Sequence, residues 1–165
     1  MVQRVTIRRA GLADIRLLDK FQKQFYKELR EIVSRENPLL KAYLKPSRQG
    51  HRFVVKLLRK WIRSKNALVL IAEEESNPIG FTTVSIEKHP ILGLKRYGYI
   101  GFMFMKPRHR SKGISSLLMK ETLAWLARRR VKHVGLSVEM ENKYAHAIYR
   151  RWGFRSFSVF MWKIE

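Results

Sequence analysis

Apolar and polar positions change period several times along the chain, and each change marks an element. Val2–Arg9 alternates, with Val5 and Ile7 on one side, as a half-buried strand does. From Leu12 the spacing becomes helical: Ile15, Leu18, Phe21, Phe25, Leu29 and Ile32 recur every three or four residues until Asn37-Pro38 closes the run. Gln49–Lys65 carries Phe53, Val54, Leu57, Leu58, Trp61 and Ile62 on one face and reads as an amphipathic helix. Ala67–Glu73 and Ile79–Glu87 read as strands of a hairpin around the turn Ser76-Asn77-Pro78. A strand over Tyr97–Met105, a helix over Ile114–Arg130 and a strand over Val134–Val138 follow. Lys143–Trp152 is a helix capped by Asn142 and stopped by Gly153, and Phe154–Trp162 is a last strand. The order βααβββαβαβ is mixed α/β. By itself it suits several mixed-sheet folds.

At 165 residues and 45% hydrophobic content, the chain has the apolar material for one substantial core, and residues 1–165 are expected to form a single domain. It contains no internal repeat or low-complexity linker. The absence of cysteine excludes disulfides, thiolate metal ligands and a cysteine nucleophile. The five histidines show no metal-ligand spacing, so no metal is expected. No phosphate-binding loop of the Gly-x₄-Gly-Lys-Ser/Thr type occurs. The N-terminal residues lack a signal-peptide core, and the apolar run Ala67–Ala72 is too short to span a bilayer, so a cytoplasmic location is the expectation.

Candidate chemistry begins at Lys106, where the chain reads K-P-R-H-R-S-K-G-I-S-S-L-L. An apolar strand enters a short basic loop, and a helix leaves it. In that arrangement the amides of the loop and first helical turn lack intrahelical partners and are free to bind phosphate, aided by the helix dipole. Gly113 lets backbone approach a ligand closely, while Arg108, Arg110 and Lys112 add positive charge. An ordinary strand-to-helix turn has a similar appearance, so this phrase alone does not decide.

A second phrase lies downstream. Arg110-Ser111-Lys112-Gly113-Ile114-Ser115 resembles the Arg/Gln-x-x-Gly-x-Gly/Ala signature of the general N-acetyltransferase (GNAT) superfamily. Asn142, Ala145, Tyr149 and Gly153-Phe154 are similar, without a gap, to that family's Asn-x-x-Ala-x-x-x-Tyr-x-x-x-Gly-Phe pattern. The resemblance covers Tyr99 to Phe154. It implies a mostly antiparallel central sheet flanked by helices, and transfer of an acetyl group from acetyl-CoA to a primary amine by direct attack. It further implies that Met103, Phe104 and Met105 offer their backbone to the pantetheine arm, and that the backbone from Arg110 through Ser111, Lys112, Gly113, Ile114, Ser115 and Ser116 holds the pyrophosphate. Asn142 would contact the cofactor. Tyr149 corresponds to the general acid that protonates the departing thiolate.

The chain departs from the family at Ser111, at Ser115 and, more seriously, at Gly101, where many relatives carry a glutamate base. Glu139, Glu87 or a water chain to either are the replacement candidates, with His109 and His146 behind them. A weak base suits an acceptor of low pKa, such as a peptide or protein α-amino group near 8.

Charge bears on partners. Thirty-five Lys and Arg against 13 Asp and Glu leave a formal charge of +22. No acid occurs from Asn37 to Ala72 or from Lys88 to Lys120. Such a field disfavours polyamine acceptors and attracts polyanions. The alternative expectation is therefore a catalytically weak or inactive module that binds nucleic acid, a ribosome-associated partner or an acidic protein through Arg52, Lys56, Arg59, Lys60 and Arg63. The aromatic final segment suits a core or a subunit interface, so a homodimer through that edge is also an expectation.

Overall fold

The computed structural model describes residues 5–41, 44–45, 47–88, 96–161 and 163. Five strands, β1 (Val5–Arg9), β2 (Ala67–Glu74), β3 (Asn77–Glu87), β4 (Tyr97–Met105) and β5 (Val134–Leu136), form one sheet in the order β1-β2-β3-β4-β5. The first three pairings are antiparallel and β4–β5 is parallel. Helices α1 (Ile15–Glu36) and α2 (Arg48–Arg63) cover one face, and α3 (Ile114–Arg128) and α4 (Lys143–Arg151) the other. Residues Ala67–Ala72 of β2 are an unbroken apolar run because both faces of the strand are buried there.

Two cores result. On the α1/α2 side, Phe21, Phe81, Phe102 and Phe104 pack with Leu18 and Leu58, with Phe21–Phe81 and Phe81–Phe102 centroids 5.9 and 5.8 Å apart. On the α3 side, Leu118, Trp125 and Leu126 pack on Leu70, Val84 and Ile100. At the open end of β1, Arg8 binds both carboxylate oxygens of Asp14 at 2.8 Å and Glu73 at 2.8 Å, joining three chain segments.

Several boundaries differ from the sequence reading. Residues 1–4 of the first expected strand lie outside the described residues. The hairpin turn falls on Glu75-Ser76 rather than Ser76-Asn77-Pro78. Both turn residues have positive φ, 50° and 66°, as a tight hairpin matched to strand twist requires, and β3 starts at Asn77 opposite Glu74, with Pro78 opposite Glu73. Helix α2 begins one residue earlier, at Arg48, because the Ser47 hydroxyl accepts the Gly50 amide at 2.9 Å. β5 stops at Leu136 instead of Val138.

The expected final strand is not formed over Phe154–Met161, and Trp162 lies outside the described residues. A strand needs a partner ladder, and no such ladder to this segment forms among the described residues. Phe154 packs into the α3-side core, whereas Phe157, Val159 and Met161, which alternate as strand residues would, stay largely exposed.

Candidate active site

The site originates in a β-bulge. Thr83 is opposite Phe102 and Val84 is opposite Ile100, so Gly101 is the extra residue of β4. The bulge switches faces: Ile100 points to the α3 side, Phe102 and Phe104 to the α1/α2 side. Side chains stabilise the irregular backbone, with the Thr82 hydroxyl donating to Phe102 O at 2.9 Å and the Phe102 amide donating to Thr83 Oγ1 at 3.0 Å.

The bulge also ends the parallel pairing. β4 pairs with β5 only through Gly98–Val134, Tyr99–Gly135 and Ile100–Leu136. Beyond that point the pairing ends, and the outer edge of Gly101–Met105 has no strand partner among the described residues. A cleft of about 780 Å³, including its open mouth, occupies the gap. Met103, Phe104 and Met105 line it from β4, Phe25, Glu28, Leu29 and Ile32 from α1, and Tyr144, Ala145, Ile148, Tyr149 and Trp152 from α4 and its C-terminus.

The loop between β4 and α3 closes one end. Ser111 and Gly113 both adopt left-handed backbone, φ 60° and 78°, which bends successive amides toward one side as in anion-binding nests. No backbone acceptor engages the amides of Ser111, Lys112, Gly113, Ile114 or Ser115. The buried Ile114 side chain anchors the start of α3 in the core beneath them. Two members of the expected cradle are already satisfied: the Arg110 amide donates to Pro107 O at 3.2 Å, and the Ser116 amide to Gly113 O at 3.0 Å. The run of amides without a backbone acceptor is therefore narrower than Arg110–Ser116.

The Arg110 side chain has partners within the chain. Its Nε donates to Met105 O at 2.9 Å and its guanidinium pairs with Glu28 of α1, so it braces the loop across the cleft. That bond occupies one of the backbone carbonyls expected to serve a ligand. Lys112 and Arg108 remain exposed and make no salt bridge among the described residues. The Ser111 and Tyr144 hydroxyls lie 3.3 Å apart and link the loop to α4.

Helix α4 carries the candidate acid. Asn142 caps it, accepting the Ala145 amide at 3.2 Å, and also lines the cleft. About two turns on from the cap, Tyr149 packs edge-on against Trp152 and Phe154, at 5.8 and 5.9 Å between centroids. Burial, and then the charge of Glu139, push its phenol up to about 12. Glu139, just beyond β5, is itself raised by burial and by Glu141, against a lowering bond from its own amide. Its charge also raises Tyr26. Glu139 thus lies within electrostatic reach of Tyr149 and Tyr26.

The other proton acceptors are placed less favourably. Glu87 is exposed at the far end of β3. His109 sits with Nδ1 3.2 Å from the Glu74 carboxylate, and His146 has a buried Nε2 without a hydrogen-bond partner. No cluster of three metal-ligating side chains occurs among the described residues. No helix among them is long and apolar enough to cross a membrane.

Residues 26–154 match the family model described as the acetyltransferase (GNAT) family. The chain belongs to that family. It is 30% identical over 96 residues to an uncharacterized N-acetyltransferase of Archaeoglobus fulgidus, a match spanning 58% of this chain and 65% of that relative. The fold is shared with a predicted acetyltransferase from Clostridium acetobutylicum solved with acetyl-CoA, at TM-score 0.74 and 18% identity over 98% of this chain and 96% of that one. It is also shared with a ribosomal-protein-alanine N-acetyltransferase from Brucella melitensis, at TM-score 0.68 and 18% identity over 98% and 100% of the two chains.

Sequence reasoning missed the α1 wall. Phe25, Leu29 and Ile32 read as an ordinary core face, and the Glu28–Arg110 pair joins residues 82 positions apart, for which no local pattern exists.

Proposed function

We propose that the protein is an acetyl-CoA-dependent N-acetyltransferase that acetylates a primary amine, with a peptide or protein N-terminus the favoured acceptor and a small amine the alternative. The observation that carries this reading is one continuous cleft joining the unpaired edge of Met103–Met105, the cradle residues Arg110, Ser111 and Ser115, and Tyr149. These parts suit a phosphate-bearing thioester: amides for the pyrophosphate, a free strand edge for the amide-containing arm, and an acid at the reacting end.

Acetyl-CoA supplies the thioester carbonyl that the amine attacks. Glu139 accepts a proton from the incoming ammonium, directly or through water. Its raised pKa brings it closer to that of an α-amino group than an ordinary carboxylate would be. Tyr149 donates its proton to the leaving sulfur. A phenol near 12 stays protonated at neutral pH, and the burial that weakens it as an acid also makes an unsolvated thiolate more basic. Protein N-termini are favoured because polycationic amines are repelled by a +22 chain. The ribosomal-protein-alanine activity named for the Brucella neighbour agrees with that choice.

The test is mass-spectrometric detection of acetylation on a panel of peptide N-termini, lysine peptides, aminoglycosides and spermine, with calorimetric titration of acetyl-CoA against pyrophosphate. Peptide N-termini acetylated at higher kcat/KM than the other amines is the expected result. Binding of acetyl-CoA no tighter than pyrophosphate, with no acetylated product, overturns the assignment.

A further inference from the structure

The cleft uses little of the chain's positive charge. Six of the 13 carboxylates are held in the ion pairs of Arg8, Lys23, His51, His109, Arg110 and Lys143. None of those pairs involves an Arg or Lys of α2. Arg48, Arg52, Lys56, Arg59, Lys60 and Arg63 are all exposed, and none of them has a carboxylate partner among the described residues. At helical spacing they fall within an arc of about 120° on a helix about 22 Å long, opposite the buried Val54 and Leu58. Unpaired like charges at i, i+4 and i, i+3 oppose helix formation, so this stripe is a local cost to stability.

Two further features give the stripe a shape. Phe53 borders the arc on the Lys60 side and is 64% exposed, a large aromatic ring left in water one helical turn from Lys56. On the opposite side, Arg52, Lys56 and Arg59 continue into a groove between α1 and α2 that Arg16 and His51 also line. Its single carboxylate, Asp19, is taken up by His51 at 3.2 Å and Lys23 at 3.0 Å. A cationic track with a neighbouring aromatic platform is the combination that single-stranded nucleic acid requires, phosphates along the charges and a base against the ring. An acidic peptide would match the charges and leave Phe53 without a role.

We propose that the outward face of α2, with the α1–α2 groove, binds single-stranded nucleic acid, its phosphates on Arg52, Lys56 and Arg59 and a base stacked on Phe53. This surface is separate from the acetyl-transfer cleft and stands independently of that activity.

The experiment is fluorescence anisotropy of the full chain with labelled single-stranded RNA, single-stranded DNA of the same sequence, and duplex DNA, across a salt series, with polyglutamate as competitor. Binding to single strands more than about tenfold tighter than to duplex is expected, and the RNA and DNA arms identify the natural sugar. The triple variant Arg52→Glu/Lys56→Glu/Arg59→Glu should weaken binding at least a hundredfold and flatten the slope of log K against log salt by about 2. Phe53→Ala should weaken single strands about tenfold while leaving duplex binding unchanged. The control Lys120→Glu/Arg128→Glu/Lys132→Glu makes the same charge change on exposed positions elsewhere and should weaken binding far less. Circular dichroism confirms that each variant is folded. Equal losses in the two triple variants, an indifferent Phe53→Ala, or polyglutamate binding more tightly than single strands would each overturn the proposal, the last in favour of an acidic protein partner.

Discussion

The indole of Trp61 on α2 lies against Gly101 of β4 so closely that a Cβ built on the glycine would be 3.1 Å from Cη2 of the ring and 3.0 Å from Thr83 Oγ1. The position at which many relatives carry a glutamate base is thus occupied from the neighbouring helix. The glycine and the tryptophan are one packing solution. Gly101→Ala should cost about 1–3 kcal/mol through overpacking. Trp61→Ala in the same chain should recover part of that loss, giving a coupling above about 0.5 kcal/mol in a double-mutant cycle read from denaturant midpoints. Additive losses would show that the contact does not constrain residue 101.

Tyr149→Phe keeps the ring contacts with Trp152 and Phe154 and removes only the hydroxyl. The expected result is a kcat lowered by about 10²–10⁴ with the affinity for acetyl-CoA unchanged. Wild-type turnover in this variant would remove Tyr149 from the acid role.

Glu139 must be ionised to accept a proton, and burial raises its pKa above the ordinary 4.5. The acidic limb of kcat/KM should therefore rise through a pKa higher than that of a free glutamate, and Glu139→Gln should abolish the limb and lower the plateau. Stability runs the other way. The folded state holds this proton more tightly than the unfolded chain, so folding is favoured below the ordinary pKa and loses that contribution as pH rises through the raised one. Thermal midpoints across this interval should fall in the wild type and change less in Glu139→Gln.

Gly113 has φ 78° and open space where a Cβ would point, so alanine there strains the backbone without a clash. Gly113→Ala should cost about 1 kcal/mol and weaken acetyl-CoA binding by distorting the cradle. Lys112→Ala should weaken it by losing charge. Calorimetry at low and high salt separates the two: the Lys112→Ala effect should shrink as salt rises and the Gly113→Ala effect should persist.

Helices and strands were legible wherever a side chain's destination depends on its own segment. The helical spacing from Ile15 to Ile32 and the run Ala67–Ala72 report burial that any packing of those elements would produce. The hairpin turn was misplaced by one residue because Glu75 and Ser76 take left-handed backbone that glycine or asparagine more commonly signals. The segment from Phe154 reads as a strand because alternation measures side-chain type, whereas a strand exists only if a partner offers its backbone.

The chain's own order of residues determined the mixed α/β class, the basic loop before α3, the cap of α4 and the placement of Tyr149 on that helix, since each depends on neighbours within a few positions. Tertiary structure alone decided that Gly101 is a bulge, that β4 parts from β5 after Ile100, that Arg110 is tied to Glu28, and that Glu139 comes within electrostatic reach of Tyr149. These relations join residues distant in sequence. They depend on register, burial and field, which arise only once the sheet has formed and the helices have packed on it.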